Sequence, residues 1–146
     1  MIVLYDTREQ RPLVDQMARF LPKGAQFEAA ALKAGDYCVQ GGRTKNPVEL
    51  KRGHDWARCL STAAEKKRWG AQVERLVKYA EDPLIVFTWP PSWASVQQKT
   101  KGKVKWYKEA DLWENLWAVQ QRCRALVVGT DGEAAEVIAK YLRRSL

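Results

Sequence analysis

Cysteine and histidine are scarce in this 146-residue sequence. Cys38, Cys59 and Cys123 are odd in number and none stands in a C-x-x-C pair, so neither a zinc site nor a disulfide framework follows. Free thiols suit a reducing compartment, and the chain is expected to be intracellular, in cytoplasm, nucleoid or nucleus according to its source. The single histidine, His54, stands next to Asp55 and could act as a base, but no Ser-His-Asp pattern supports it and it reads first as a structural or solvated side chain. Long apolar runs are missing too. The longest, such as Leu84-Ile85-Val86-Phe87, are strand-sized, far short of a membrane span. The N-terminus lacks the basic stretch and apolar core of a secretory signal, and no membrane partner is expected. Gly129-Thr130-Asp131-Gly132 lacks the lysine and spacing of a phosphate-binding loop. Thr130 with Glu133 reads instead as a helix-capping box.

Positive charge is plentiful: 25 Lys and Arg stand against 17 Asp and Glu, a net +8. A basic surface suits a polyanion, because phosphate contacts release counterions. Charge alone favours a generic basic soluble protein. More specific is one short stretch: Gly35-Asp36-Tyr37, then Val48-Glu49-Leu50-Lys51, then Asp55. In a strand, alternate side chains share a face, so Glu49 and Lys51 point together and Leu50 points to the core. Residues 41–47 read as a turn. A hairpin across it brings Asp36 beside Glu49, with Lys51 one pleat away. Two carboxylates can hold magnesium, which prefers oxygen ligands and keeps much of its water. A nearby ammonium can orient that water or offset charge on a phosphorane-like transition state.

The pattern extends further. Ile2-Val3-Leu4-Tyr5 is an apolar strand, followed by Asp6-Thr7-Arg8-Glu9-Gln10-Arg11-Pro12. Downstream come Ser61 and Arg68-Trp69-Gly70-Ala71-Gln72, then the strand Ala125-Leu126-Val127-Val128-Gly129. In this order the motifs resemble the nuclease domain of the XPF-type structure-specific DNA endonucleases. That resemblance implies an α/β restriction-endonuclease-like fold, with a central mixed β-sheet flanked by helices. It implies one nuclease domain over residues 1–146, with no room for a helix-hairpin-helix domain. The implied catalytic set is Asp6, Glu9, Asp36, Glu49, Lys51 and Asp55. Asp36, Glu49 and Asp6 would ligate magnesium, with manganese as a substitute. Arg8, Arg52, Lys66, Lys67, Arg68 and Gln72 would meet DNA. Relatives of this kind pair through their nuclease domains, so a homodimer or heterodimer is expected. Leu50 departs from the family, which usually carries arginine there; by alternation that position faces away from the metal chemistry.

Other readings stay open on the residues. Asp55 near a helix start serves equally as a cap. Lys66, Lys67 and Arg68 also fit a solvated helix face. Lys99, Lys101, Lys103 and Lys105, followed by Trp106 and Tyr107, fit a DNA clamp with stacking aromatics or an edge strand guarded by lysine. Periodicity predicts strands over 2–5, 27–32, 37–40, 48–51, 84–88 and 125–128, and helices over 12–20, 66–80, 109–123 and 131–142. Trp113 and Trp117, beside Leu112 and Leu116, are expected in the core by default, with a dimer seam as the alternative. On function, the reading is a magnesium-dependent endonuclease. A catalytically silent DNA-binding scaffold and a Holliday-junction resolvase of the same fold are the rivals.

Overall fold

The computed structural model describes residues 1–41, 46–89 and 109–145. In chain order the elements are β1 (Ile2–Asp6), α1 (Val14–Met17), β2 (Gln26–Ala30), β3 (Tyr37–Val39), β4 (Val48–Lys51), α2 (Gly53–Cys59), α3 (Ala63–Tyr79), β5 (Leu84–Thr88), α4 (Glu109–Gln120), β6 (Arg124–Val128) and α5 (Asp131–Arg143). Six strands form one mixed sheet in the order β2-β1-β3-β4-β5-β6. β3 runs antiparallel to both neighbours, and the other pairs are parallel. The expected mixed sheet with flanking helices is therefore present.

Strand alternation sorts the core into two layers. Val48, Leu50, Leu84 and Val86 face α1 and α5, packing on Leu13, Met17, Ala135, Ile138 and Leu142. Ile85 and Phe87 face the opposite layer, where α2, α3 and α4 contribute Trp56, Trp69, Val73, Leu76, Leu112 and Leu116. Every residue of β5 is buried, the pattern of a strand covered on both faces. By the same alternation Glu49 and Lys51 leave β4 on the α2–α3 side, and the fold thereby puts two ionisable groups beneath a helical layer.

Several boundaries differ from expectation, each for a local reason. α3 begins at Ala63 because Thr62 caps it, its hydroxyl accepting from the Glu65 amide at 3.1 Å. β2 stops at Ala30 because the Leu32 amide is diverted to the Asp6 carboxylate at 2.9 Å. α1 is a single turn, and the Leu13 amide before it donates to the buried Tyr37 hydroxyl at 3.0 Å. α5 starts as the capping box predicts: Thr130 accepts from the Glu133 amide, and Glu133 reaches back to the Gly129 amide. Trp113 and Trp117 do not join the core. They are 42% and 65% exposed, while Leu112, Leu116 and Val119 carry the buried stripe of α4. Tryptophans one position beyond that stripe turn about 100° away from it, at 3.6 residues per turn. Among the described residues no helix is long and apolar enough to cross a membrane.

Candidate active site

Gly35 sets the site. Its φ is +77°, and a Cβ there would meet the Pro47 Cβ at 2.8 Å and the Val48 carbonyl oxygen at 3.1 Å. Only glycine combines that backbone with so close an approach. The next residue, Asp36, is pinned on both sides: its amide donates to Val48 O at 2.7 Å, and its carbonyl accepts from the Asp6 amide at 2.8 Å. Tyr37 pairs with Val48 across the antiparallel β3–β4 contact, which brings Asp36, just before β3, beside β4. Asp36 Oδ2 accepts from the Leu50 amide at 2.7 Å. Glu49 Oε1 accepts from Gln72 Nε2 at 2.5 Å and lies 3.3 Å from Lys51 Nζ. Lys51 also reaches Gln72 Oε1 at 3.4 Å and sits 4.8 Å above the Trp69 ring. Asp36, Glu49, Lys51 and Gln72 together line a cleft of about 440 Å³.

The electrostatics follow from burial. The Asp36 carboxyl titrates well above its ordinary value, first because it is desolvated and then because Glu49 is a close like charge. Burial also raises Glu49, against the opposing pull of Lys51. Lys51 is itself drawn down by burial, but the Glu49 carboxylate prevails and holds its pKa above the usual lysine value. At neutral pH it is an ammonium, not a base. A buried and a half-buried acid thus flank one ammonium, and the donor set fits a divalent ion. Asp36 Oδ1 and Glu49 Oε2 carry none of the hydrogen bonds just described, and magnesium needs only one or two protein carboxylates beside water and phosphate.

Asp6, expected among the metal ligands, lines the same cleft, where protein donors hold its carboxylate. Arg8 grips its carboxylate through Nε at 2.7 Å and Nη2 at 2.9 Å, while the amides of Arg8 and Leu32 donate at 2.8 and 2.9 Å. The Arg8 hydrogen bond outweighs desolvation and lowers the Asp6 pKa to about 2. Among the described residues no group of three or more His, Cys, Asp or Glu side chains is placed to share a metal ion.

Arg52 is likewise held by protein partners. Expected on DNA, it is only 11% exposed and fully engaged. It donates to Glu9 Oε1 at 3.1 Å, to the Arg11 carbonyl at 2.7 Å, and to both Asp131 oxygens at 3.3 Å. Glu9 is occupied by that guanidinium and by the Arg11 amide, so it reaches Asp36 and Glu49 only through its field. Gln72, also expected on DNA, faces Glu49 and Lys51 instead. Asp55 is not a cap; it lines the cleft half-exposed and pairs with Arg58 at 3.2 Å. Lys66, Lys67 and Arg68 are exposed outside the cleft, and Arg68 pairs with Glu65. Lys101, Lys103 and Lys105 lie outside the described residues.

Sequence reasoning left four basic residues of the cleft wall out of the site: Arg11, Lys33, Arg58 and Arg75. Helical phase held the signal for two of them. Arg75 follows Gln72, and Arg58 follows Asp55, at the three-residue spacing that keeps side chains on one face.

No family model and no curated protein matches the chain. Solved structures do. XPF from Aeropyrum pernix superposes with a TM-score of 0.72 at 25% identity, over 99% of this chain and 61% of that one. XPF from Aeropyrum pernix in complex with DNA gives the same score and identity, over 99% and 64%. The chain therefore spans under two thirds of the length of those proteins. The similarity bears out the XPF-type resemblance read from the motifs, and the shared architecture is a DNA-nuclease fold.

Proposed function

We propose that this chain is a magnesium-dependent DNA endonuclease hydrolysing phosphodiester bonds in branched, flap or junction DNA, with manganese able to replace magnesium. The observation that carries the proposal is the convergence of Asp36, Glu49 and Lys51 on one face of β4 in a cleft walled by arginine and lysine. Asp36 and Glu49 would hold the metal. When bound, the metal would polarise the phosphodiester, acidify a water and steady the leaving oxygen. The chain's own groups account for the rest. Lys51 keeps its proton and presents it to the attacking water or to the oxygens gathering charge. Gln72 holds Glu49 and Lys51 in register. Arg8, Arg58, Arg75 and Lys33 attract the flanking backbone. Asp6 and Arg52 act as braces behind these residues. DNA as partner is supported by the fold shared with XPF, one copy of which is bound to DNA.

Incubation with duplex, flap and four-way-junction DNA, with magnesium and with EDTA, tests the proposal. Metal-dependent nicking, strongest on a branched substrate, is the expected result. DNA binding with no metal-dependent cut in any substrate would sink it in favour of a silent scaffold. Paired symmetric cuts confined to four-way junctions would replace it with a resolvase.

A further inference from the structure

Lys51 ends a long flexible side chain, yet the proposed chemistry requires its ammonium at one place. Two of its three neighbours, Glu49 Oε1 and Gln72 Oε1, belong to the acid cluster. A cation held by Glu49 would compete for the same carboxylate and weaken that pair. The third neighbour is the face of Trp69, 4.8 Å from Nζ and independent of the acids. Trp69 is buried, and its plane is fixed by an unusual arrangement. Asn115 Oδ1 accepts from Trp69 Nε1 at 3.2 Å and from Trp56 Nε1 at 2.9 Å. An indole N–H lies in the ring plane, so fixing it restricts where the ring normal points. Phe87 adds a second constraint, edge-on to Trp69 at 6.1 Å and stacked on Trp56 at 4.2 Å.

We infer that Trp69 and Asn115 are positioning residues for Lys51: Asn115, from α4, turns the Trp69 indole so that its face holds the ammonium in the cleft. The inference rests on the nuclease reading for its consequence but not for its geometry. A desolvated ammonium over an indole face is attracted by the ring quadrupole, and burial strengthens the contact.

The test uses the full chain labelled with 13C at the lysine ε-carbons, with Lys51→Gln to identify the Lys51 resonance. A proton above an aromatic face is shifted upfield, so the wild-type Lys51 ε signals should lie upfield of the other lysines. Trp69→Leu and Asn115→Leu should return them to the common position. Trp69→Phe keeps a ring face, and Asn115→Asp keeps an acceptor; both should retain most of the shift. Circular dichroism selects the folded variants. In cleavage assays the two leucine variants should lose kcat about tenfold, the scale of a desolvated cation–π contact. KM for DNA should stay within about twofold. A wild-type chain that never cuts overturns the nuclease reading. A cutting enzyme whose Lys51 signals are unshifted, or whose Trp69→Leu variant keeps its kcat, overturns this inference alone.

Discussion

Burying two carboxyls side by side is unfavourable unless positive charge is close. Asp36 and Glu49 have a single lysine at hand, and both are held toward their protonated forms. Protons and a divalent cation therefore compete for the same oxygens. A raised folded-state pKa means that the native chain binds more protons than the unfolded one above the ordinary carboxylate range. Stability in EDTA should accordingly rise as pH falls from neutral toward that range, and saturating magnesium should flatten this slope. Thermal unfolding against pH, with and without magnesium, checks both. Glu49→Gln or Asp36→Asn should reduce cleavage by at least about a hundredfold while DNA binding stays within a fewfold. Asp36→Asn should also raise the melting temperature in EDTA, since it removes a like charge beside Glu49 and leaves the Glu49–Lys51 pair intact. Asp6 has the opposite sign. Its pKa falls from 3.8 to about 2, so its contribution is present above the ordinary value and lost as pH drops through the lowered one. Asp6→Asn should cost up to about 2 kcal/mol at neutral pH and shorten the acid limb of the stability profile. Denaturant unfolding at pH 7 and pH 3 reads this difference. Arg8 is largely exposed, and screening by solvent makes that figure an upper bound.

At the scale of elements, β4 was the most legible part of the sequence. Alternation alone put Glu49 and Lys51 together and Leu50 in the core, and the glycine turn returned Asp36 to them. Gly35 explains why the register is so firm. What escaped reading depended on partners distant in sequence. Nothing near Arg52 announces that Glu9 and Asp131 will enclose it. Nothing in Asp6-Thr7-Arg8 says that the arginine folds back on the aspartate. The start of α3 was legible in principle, since Thr62 and Glu65 form a capping pair that the apolar periodicity begins too late to reveal. α2 and α3 also carry Arg58 and Arg75 into the cleft wall. If these meet flanking phosphates, Arg58→Ala and Arg75→Ala should each weaken DNA binding and reduce the salt slope by about one, with kcat little changed. Arg68→Ala, on the outer face, should do neither. Salt titrations of binding separate the two cases.

For the whole molecule, hydrophobic periodicity located most strands and helices and the family resemblance implied the mixed sheet flanked by helices, while the placement of tryptophan followed from neither. A helix pattern dense in apolar residues hides which stripe is buried, and α4 buries its leucines and leaves Trp113 and Trp117 toward solvent. Exposed indoles of this size favour burial against another surface. We expect self-association or pairing with a related subunit through this face. Sedimentation of the wild type should show a dimer that Trp117→Lys shifts toward monomer. A monomer at all concentrations would overturn self-association through this face.

The Arg52 guanidinium joins the turn after β1 to the first residue of α5, across most of the polypeptide. During synthesis, a nascent chain that has emerged only through β5 has no Asp131 to offer, and α1 has no α5 to pack on. The wall beside the acids therefore settles only after α5 has emerged and Asp131 can meet Arg52.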